Sequence, residues 1–174
     1  MFLGLPTGEV RLLDAHKAWA EEFALEKARI IDAVSDHILE IQHVGRTAIP
    51  GIPAKPVLDI LVGVEDFDEA IACVAPLERI GYCYRREHGI PRRHYFVKGD
   101  PRTHHLHMVE RDSHHWTMTV AFKELLSRDS ESARAYAEAK RSLAAKYPRD
   151  REAYQREKDR VVERLLALAV EPRR

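Results

Sequence analysis

The stretch His43 to Val62, HVGRTAIPGIPAKPVLDILV, gathers residues whose types and spacing suit phosphate chemistry. Gly45 directly follows a short strand, Ile41 to Val44, where a glycine lets the backbone turn tightly and brings N–H groups toward a bound anion. Thr47 adds a hydroxyl, and Arg46 and Lys55 add cationic donors that a phosphate would satisfy. Asp59 is the only charged residue in VLDILVGV, Val57 to Val64. A carboxylate buried without a partner costs several kcal/mol, so Asp59 needs one. Its options are an ion pair with Lys55 or an arginine, backbone N–H groups of the Pro-rich loop, or a Mg²⁺ that bridges nucleotide phosphates.

A second set lies in HHLHMVE, His104 to Glu110. In an extended strand His105 and His107 share one face, and His104 and Glu110 the other. Whichever face adjoins Asp59 adds one or two ligands. A His-His-Asp set suits Zn²⁺, Mn²⁺ or Fe²⁺ better than Mg²⁺, and His107 or Glu110 is also placed to act as a general base. Arg85-Arg86 and Arg92-Arg93 bracket the Gly89-Ile90-Pro91 turn and offer a basic rim for nucleotide or polyphosphate, although such residues near turns are more often simply solvated. His114-His115 reads as surface capping at a helix start, and Trp19 and Trp116 as core anchors.

The elements that must hold these residues follow from periodicity. Asp14 reads as the N-cap of a helix running toward Glu40, with Trp19, Phe23, Ile30, Ile31, Val34 and Ile38 mostly on one face. Ile41 to Val44 is a short strand, and Gly45 to Pro56 a loop. Val57 to Val64 is apolar on both faces apart from Asp59, the pattern of a central strand. A helix is expected from Asp66 to Ile80, stopped by Gly81. Tyr82 to Arg86, Arg93 to Lys98 and His104 to Glu110 read as an antiparallel meander. From Trp116 the chain is helical, broken near Asp129-Ser130 and at Tyr147 to Asp150.

Composition narrows the classes. Lys plus Arg and Asp plus Glu are 28 each, so no net charge draws the protein to nucleic acid or an anionic membrane, and phosphate recognition must be local. At 174 residues a single domain, 1–174, is expected. Cys73 and Cys83 lack metal-ligand spacing and suit a reducing compartment. With no basic leader and no apolar run of roughly 18 residues, a cytoplasmic protein is expected.

The run His43-Val44-Gly45 with Thr47, Pro50-Gly51, Ala54-Lys55-Pro56 and Asp59-Ile60 resembles the signature of the GrpB-like family. Gly89-Ile90-Pro91, Lys98-Gly99-Asp100-Pro101, His105-Leu106-His107 with Val109-Glu110, Ala121-Phe122, Lys146-Tyr147-Pro148 and Arg151-Glu152-Ala153-Tyr154 extend it across most of the chain. The resemblance implies an α+β, nucleotidyltransferase-like fold: a mixed, mainly antiparallel sheet of about five strands flanked by an N-terminal helix and C-terminal helices. Members of the family also occur fused to dephospho-CoA kinase.

For function, the loop chemistry together with the fold that the resemblance implies leads to the expectation of a nucleotide- or phosphate-ligand-binding protein with metal-dependent nucleotidyl or phosphoryl transfer. Catalysis would fall to Asp59, His107 and Glu110, and ligand binding to His43, Gly45, Arg46, Thr47, Lys55, Arg93 and His105. A divalent metal, Mg²⁺ or Mn²⁺ before Zn²⁺, would sit on Asp59, His105 and His107. Two positions depart from the nucleotidyltransferase pattern: Arg46 stands where a serine is expected, and Val57 where the first of two carboxylates is expected. The alternatives are a non-catalytic nucleotide or coenzyme-A-related binding module and a His-dependent metal hydrolase.

Overall fold

The structure is a computed structural model and describes residues 3, 4, 13, 16–51 and 54–170. Asp14 lies outside the described residues. The chain divides into two compact units, Met1–Val120 and Ala121–Arg174.

The first unit is built on a five-stranded sheet in the order β1-β2-β5-β4-β3, formed by β1 (Glu40–Val44), β2 (Leu58–Val64), β3 (Tyr82–Tyr84), β4 (His94–Lys98) and β5 (His104–Glu110). β2 and β5 run parallel and the other neighbours are antiparallel, so the sheet is mixed and mainly antiparallel as expected. Helix α1 (His16–Val34) precedes it. The expected extension of α1 to Glu40 does not occur: the Leu39 N–H donates to Gly63 O, and Glu40 pairs with Gly63. Strand pairing to β2 therefore takes this segment, and a 3₁₀ turn, Ser35–His37, makes the change of direction.

The expected helix from Asp66 to Ile80 is shorter too. A 3₁₀ segment, Glu69–Cys73, leads into α2 (Val74–Arg79). Pro76 has no N–H to give Ala72, so an α-helical ladder cannot run through it from upstream, and the α-helix begins where proline falls in its first turn.

One face of the sheet is closed. Ile60, Val62, Leu106, Met108 and Phe96 pack there with Ile30 and Val34 of α1 and Leu77 of α2. Fully burying each large side chain of this kind contributes about 1.5–3 kcal/mol. Glu26 of α1 is 1% exposed on this side and accepts from Lys98 Nζ at 2.7 Å, with Arg29 adding a second contact at 3.0 Å. Burial works to raise the Glu26 carboxyl, yet the hydrogen bond and charge of Lys98 bring it below its usual range. His104, on the same face, is pushed down to about 4, chiefly by burial.

The opposite face carries Val44, Leu61 and Val109 under Trp116, near the start of α3 (His114–Arg128). Gly63 leaves room for that ring: a Cβ there would lie 2.9 Å from Trp116 Cζ3. In the second unit α4 (Ser130–Lys146) and α5 (Arg151–Val170) pack on each other. Asp129 caps α4 by accepting from Glu131 N, and Asp150 accepts from Ala153 N in the first turn of α5. These caps account for the two breaks read in the sequence. No helix among the described residues is long and apolar enough to cross a membrane.

Candidate functional site

Strand period and register assemble the site on the face opposite α1. Asp59 of β2 pairs with Val44 of β1 on one side and His105 of β5 on the other. Since alternate residues share a face, His105 and His107 project with Asp59, and Tyr95 of β4, paired with His107, joins them. Asp59 is thus the one carboxylate in β2, and its partner is a histidine across the parallel pair.

His105 Nδ1 lies 2.9 Å from Asp59 Oδ1, with the two side chains 28% and 32% exposed. Burial opposes ionising Asp59, but the hydrogen bond from His105 and the charges of His105, His107 and His43 outweigh it and hold the carboxyl below its usual range. The Asp59 carboxylate leaves no room for a side chain at Gly45, where a Cβ would collide with Oδ2 and where φ is +71°. Glycine is needed there for space and for conformation.

Arg93, just before β4, is 5% exposed. Its Nη1 donates to His107 Nδ1 at 3.2 Å, its Nη2 donates to the carbonyls of Glu87 and His88 at 3.0 and 3.1 Å, and its guanidinium lies 4.8 Å from the centre of the Tyr95 ring. Arg93 Nε is buried with no partner among the described residues, and no described carboxylate pairs with this arginine. Burial pulls its pKa down. Loss of hydration pushes His107 down to about 3 against the opposing charge of Asp59, with Arg93 adding to the depression, so His107 is neutral at pH 7.

The other expected residues are placed differently. Glu110 lies on the opposite face of β5 from Asp59, because it is an odd number of positions, five, beyond His105, and it is tied to Arg92 at 2.7 Å and to Phe67 N. The expectation that it joins Asp59 is corrected. His43 pairs with Ile60, stacks on Phe23 of α1 at 4.8 Å and so sits on the closed side. Thr47 is 2% exposed, with its hydroxyl 2.9 Å from His43 Nε2 and 3.4 Å from Val57 O, so that hydroxyl braces the loop from within. Arg46 opens a 3₁₀ turn directly after Gly45, and Lys55 is exposed. The partner of Asp59 is His105 and not Lys55.

A metal was expected on Asp59, His105 and His107, and these residues do not fit one as arranged. Among the described residues no group of three or more His, Cys, Asp or Glu side chains has metal-holding geometry. The Asp59 carboxylate is engaged by His105, and the His107 lone pair at Nδ1 faces a guanidinium rather than a cation site. Tyr95 was not singled out in the sequence, although its alternation with Arg93 and Val97 puts it on this face. Its ring centre lies 5.1 Å from that of His107 and 5.9 Å from that of His105. A cleft of about 640 Å³ lined by Phe67, Tyr84, His88 and His94 includes none of Asp59, His105 and His107.

The family description "GrpB protein" matches residues 9–168. A UPF0157 protein of Pseudomonas aeruginosa is 41% identical over 169 residues, covering 92% of this chain and 68% of the relative. The glutamate-rich protein GrpB of Alkalihalophilus pseudofirmus is 33% identical over 170 residues, covering 94% of this chain and 98% of the relative. The crystal structure of the conserved protein GrpB from Enterococcus faecalis superposes with a TM-score of 0.77 at 29% identity, covering 92% of this chain and all of that one. With the signature residues of β1, β2 and β5 in place across that length, the chain belongs to the GrpB family.

Proposed function

We propose that this protein binds a small phosphorylated ligand, foremost a nucleotide, on the Asp59 face of the sheet, and that the Asp59–His105 pair moves a proton during phosphoryl or nucleotidyl transfer. The observation that carries this reading is the 2.9 Å bond between Asp59 and His105 on a face that also holds Arg93, a buried cation with no carboxylate partner among the described residues. An ionised aspartate that accepts from one imidazole nitrogen orients the ring and stabilises the imidazolium that forms when the other nitrogen takes a proton. A buried guanidinium supplies the positive potential that an anionic ligand answers.

In this reading Gly45 keeps the first turn of the loop close to the Asp59 carboxylate, and Arg46 and Lys55 contribute charge from the same loop. No step depends on a metal. The test is a thermal-shift panel of ATP, GTP, CTP, UTP, coenzyme A and pyrophosphate, each with and without Mg²⁺ and Mn²⁺. A ligand at a hundred times its Kd stabilises the folded chain by about 2.7 kcal/mol. A nucleotide that shifts the wild type, followed by turnover that Asp59→Asn abolishes, supports transfer. Binding that persists in Asp59→Asn without any turnover in either protein supports a non-catalytic binding module. No shift with any compound sinks the proposal.

A further inference from the structure

The two site histidines are held by unlike partners. Asp59 Oδ1 can only accept, since the carboxyl is held ionised, so the proton between it and His105 belongs to His105 Nδ1. In the neutral ring the lone pair is then on Nε2. Arg93 Nη1 can only donate, so His107 Nδ1 must carry a lone pair, and in the neutral ring the proton is on Nε2. Neither Nε2 has a partner among the described residues, and neither is a buried orphan, so both reach solvent. The ring centres are 6.5 Å apart and the planes nearly perpendicular, at 88°.

We propose that the two histidines present opposite polarity to one ligand: His105 offers a lone pair that takes a proton from water or a ligand hydroxyl, and His107 offers an N–H to the phosphoryl oxygen that gains charge. This rests on the reading of this face as a phosphorylated-ligand site, and it narrows the ligand to one in which an O–H group lies beside a phosphoryl centre. The O–H bond breaks and its proton goes to His105 Nε2. The freed oxygen bonds to phosphorus, the bond from phosphorus to the leaving oxygen breaks, and that oxygen takes the proton back from His105. His107 keeps its own proton throughout.

Arg93 is a positioning residue in this scheme. It sets the His107 tautomer through Nδ1 and lends its charge to the ring, so the site obtains electrophilic assistance from an Arg-His relay where a metal would otherwise be needed. A neutral imidazole donor of this kind strengthens its hydrogen bond as charge develops on the acceptor, without having to give up a proton. Arg93 also donates to the carbonyls of Glu87 and His88, which ties the relay to a loop holding three non-glycine residues at positive φ: Arg86, His88 and Arg92. Such backbone is strained and is found where a fixed arrangement matters.

The deciding measurement is long-range ¹H–¹⁵N correlation of the histidine rings in the ligand-free full-length chain at pH 8.5, above the usual imidazole range. His105→Gln and His107→Gln assign the signals. The expected result is opposite tautomers, with Nδ1 protonated in His105 and Nε2 protonated in His107. Equal tautomers overturn the proposal whether or not any nucleotide binds. In Arg93→Gln the His107 signals should collapse toward an averaged tautomer while circular dichroism stays native, and an unchanged His107 spectrum would remove Arg93 from the relay. Pyrophosphate provides the binding readout. His107→Gln, which retains an N–H donor, should bind it about tenfold tighter than His107→Phe, the ratio worth about 1.4 kcal/mol. Equal affinity in the two variants refutes the donor role, whereas failure of the wild type to bind any phosphate compound counts against the ligand class alone.

Discussion

Two cations stand at the two ends of β4, Arg93 buried and Lys98 half-buried, and they are treated in opposite ways. Lys98 meets Glu26 of α1 at 2.7 Å on the closed face, and the pair is locked beneath a helix. Arg93 meets two carbonyls, a neutral imidazole and an aromatic ring, but no described carboxylate. A charge matched inside the fold is structural, because removing either partner strands the other. A charge left unmatched on a face that solvent reaches keeps a potential that only a ligand can neutralise.

The largest effect should come from breaking the matched pair. Lys98→Met leaves Glu26 buried with the exposed Arg29 as its remaining ion-pair partner, and chemical denaturation should show a loss of about 3–5 kcal/mol. A loss under 1 kcal/mol would remove the distinction between the two ends of β4.

Acid should act on both faces in the same sense. His104 and His107 have folded pKa values of about 4 and about 3, below the 6.5 of a free imidazole. Between those limits the unfolded chain binds more protons than the folded one, so stability falls as pH drops from about 6.5 toward 4. The lowered pKa values of Asp59 and Glu26 add a further loss below the usual carboxylate range, because protons then bind the unfolded state first. Urea midpoints across this window should report a decline on the order of 3 kcal/mol from His104 alone, and His104→Gln should flatten the upper limb.

Gly45→Ala combines a strained backbone conformation with a Cβ directed at the Asp59 carboxylate, for a cost of about 1–3 kcal/mol from the backbone. Thermal unfolding measures it, and displacement of Asp59 should cost ligand binding as well. The smallest stability effect belongs to Arg93→Met. Deleting an unmatched buried charge should leave the unfolding free energy within about 1 kcal/mol of wild type or raise it, while calorimetry with pyrophosphate shows binding lost. If Arg93→Met is instead as damaging as Lys98→Met, Arg93 is a structural residue and the contrast fails.

Much of this arrangement is legible in the chain. β5 has the bounds read from HHLHMVE, and the two-residue period puts His105 and His107 together. The single carboxylate in VLDILVGV marks Asp59 as a residue in need of a partner, and the register supplies one. What the sequence does not carry is which face of β5 adjoins Asp59. That choice depends on a parallel pairing with a distant strand, and it sends Glu110 away and brings Tyr95 in. The role of Arg93 is hidden for a similar reason: among basic residues flanking a turn, nothing local separates a solvated arginine from one folded back onto a histidine. The loop hydroxyl of Thr47 looks like a phosphate donor in one dimension and is a brace in three, since only the fold brings His43 and Val57 O beside it.

The parallel pairing of β2 with β5 also dictates an order of events at the ribosome. Asp59 and His105 are 46 residues apart in sequence, with β3 and β4 made between them. At a synthesis rate of roughly 5–20 residues per second, β2 emerges seconds ahead of the strand that covers its inner edge. During that interval Leu58 to Val64 is an apolar strand with an open edge, the form most prone to pairing with another chain, and the Asp59 charge is its one internal deterrent. The carboxylate that His105 later engages is thus, in the nascent chain, the one charge within an apolar segment.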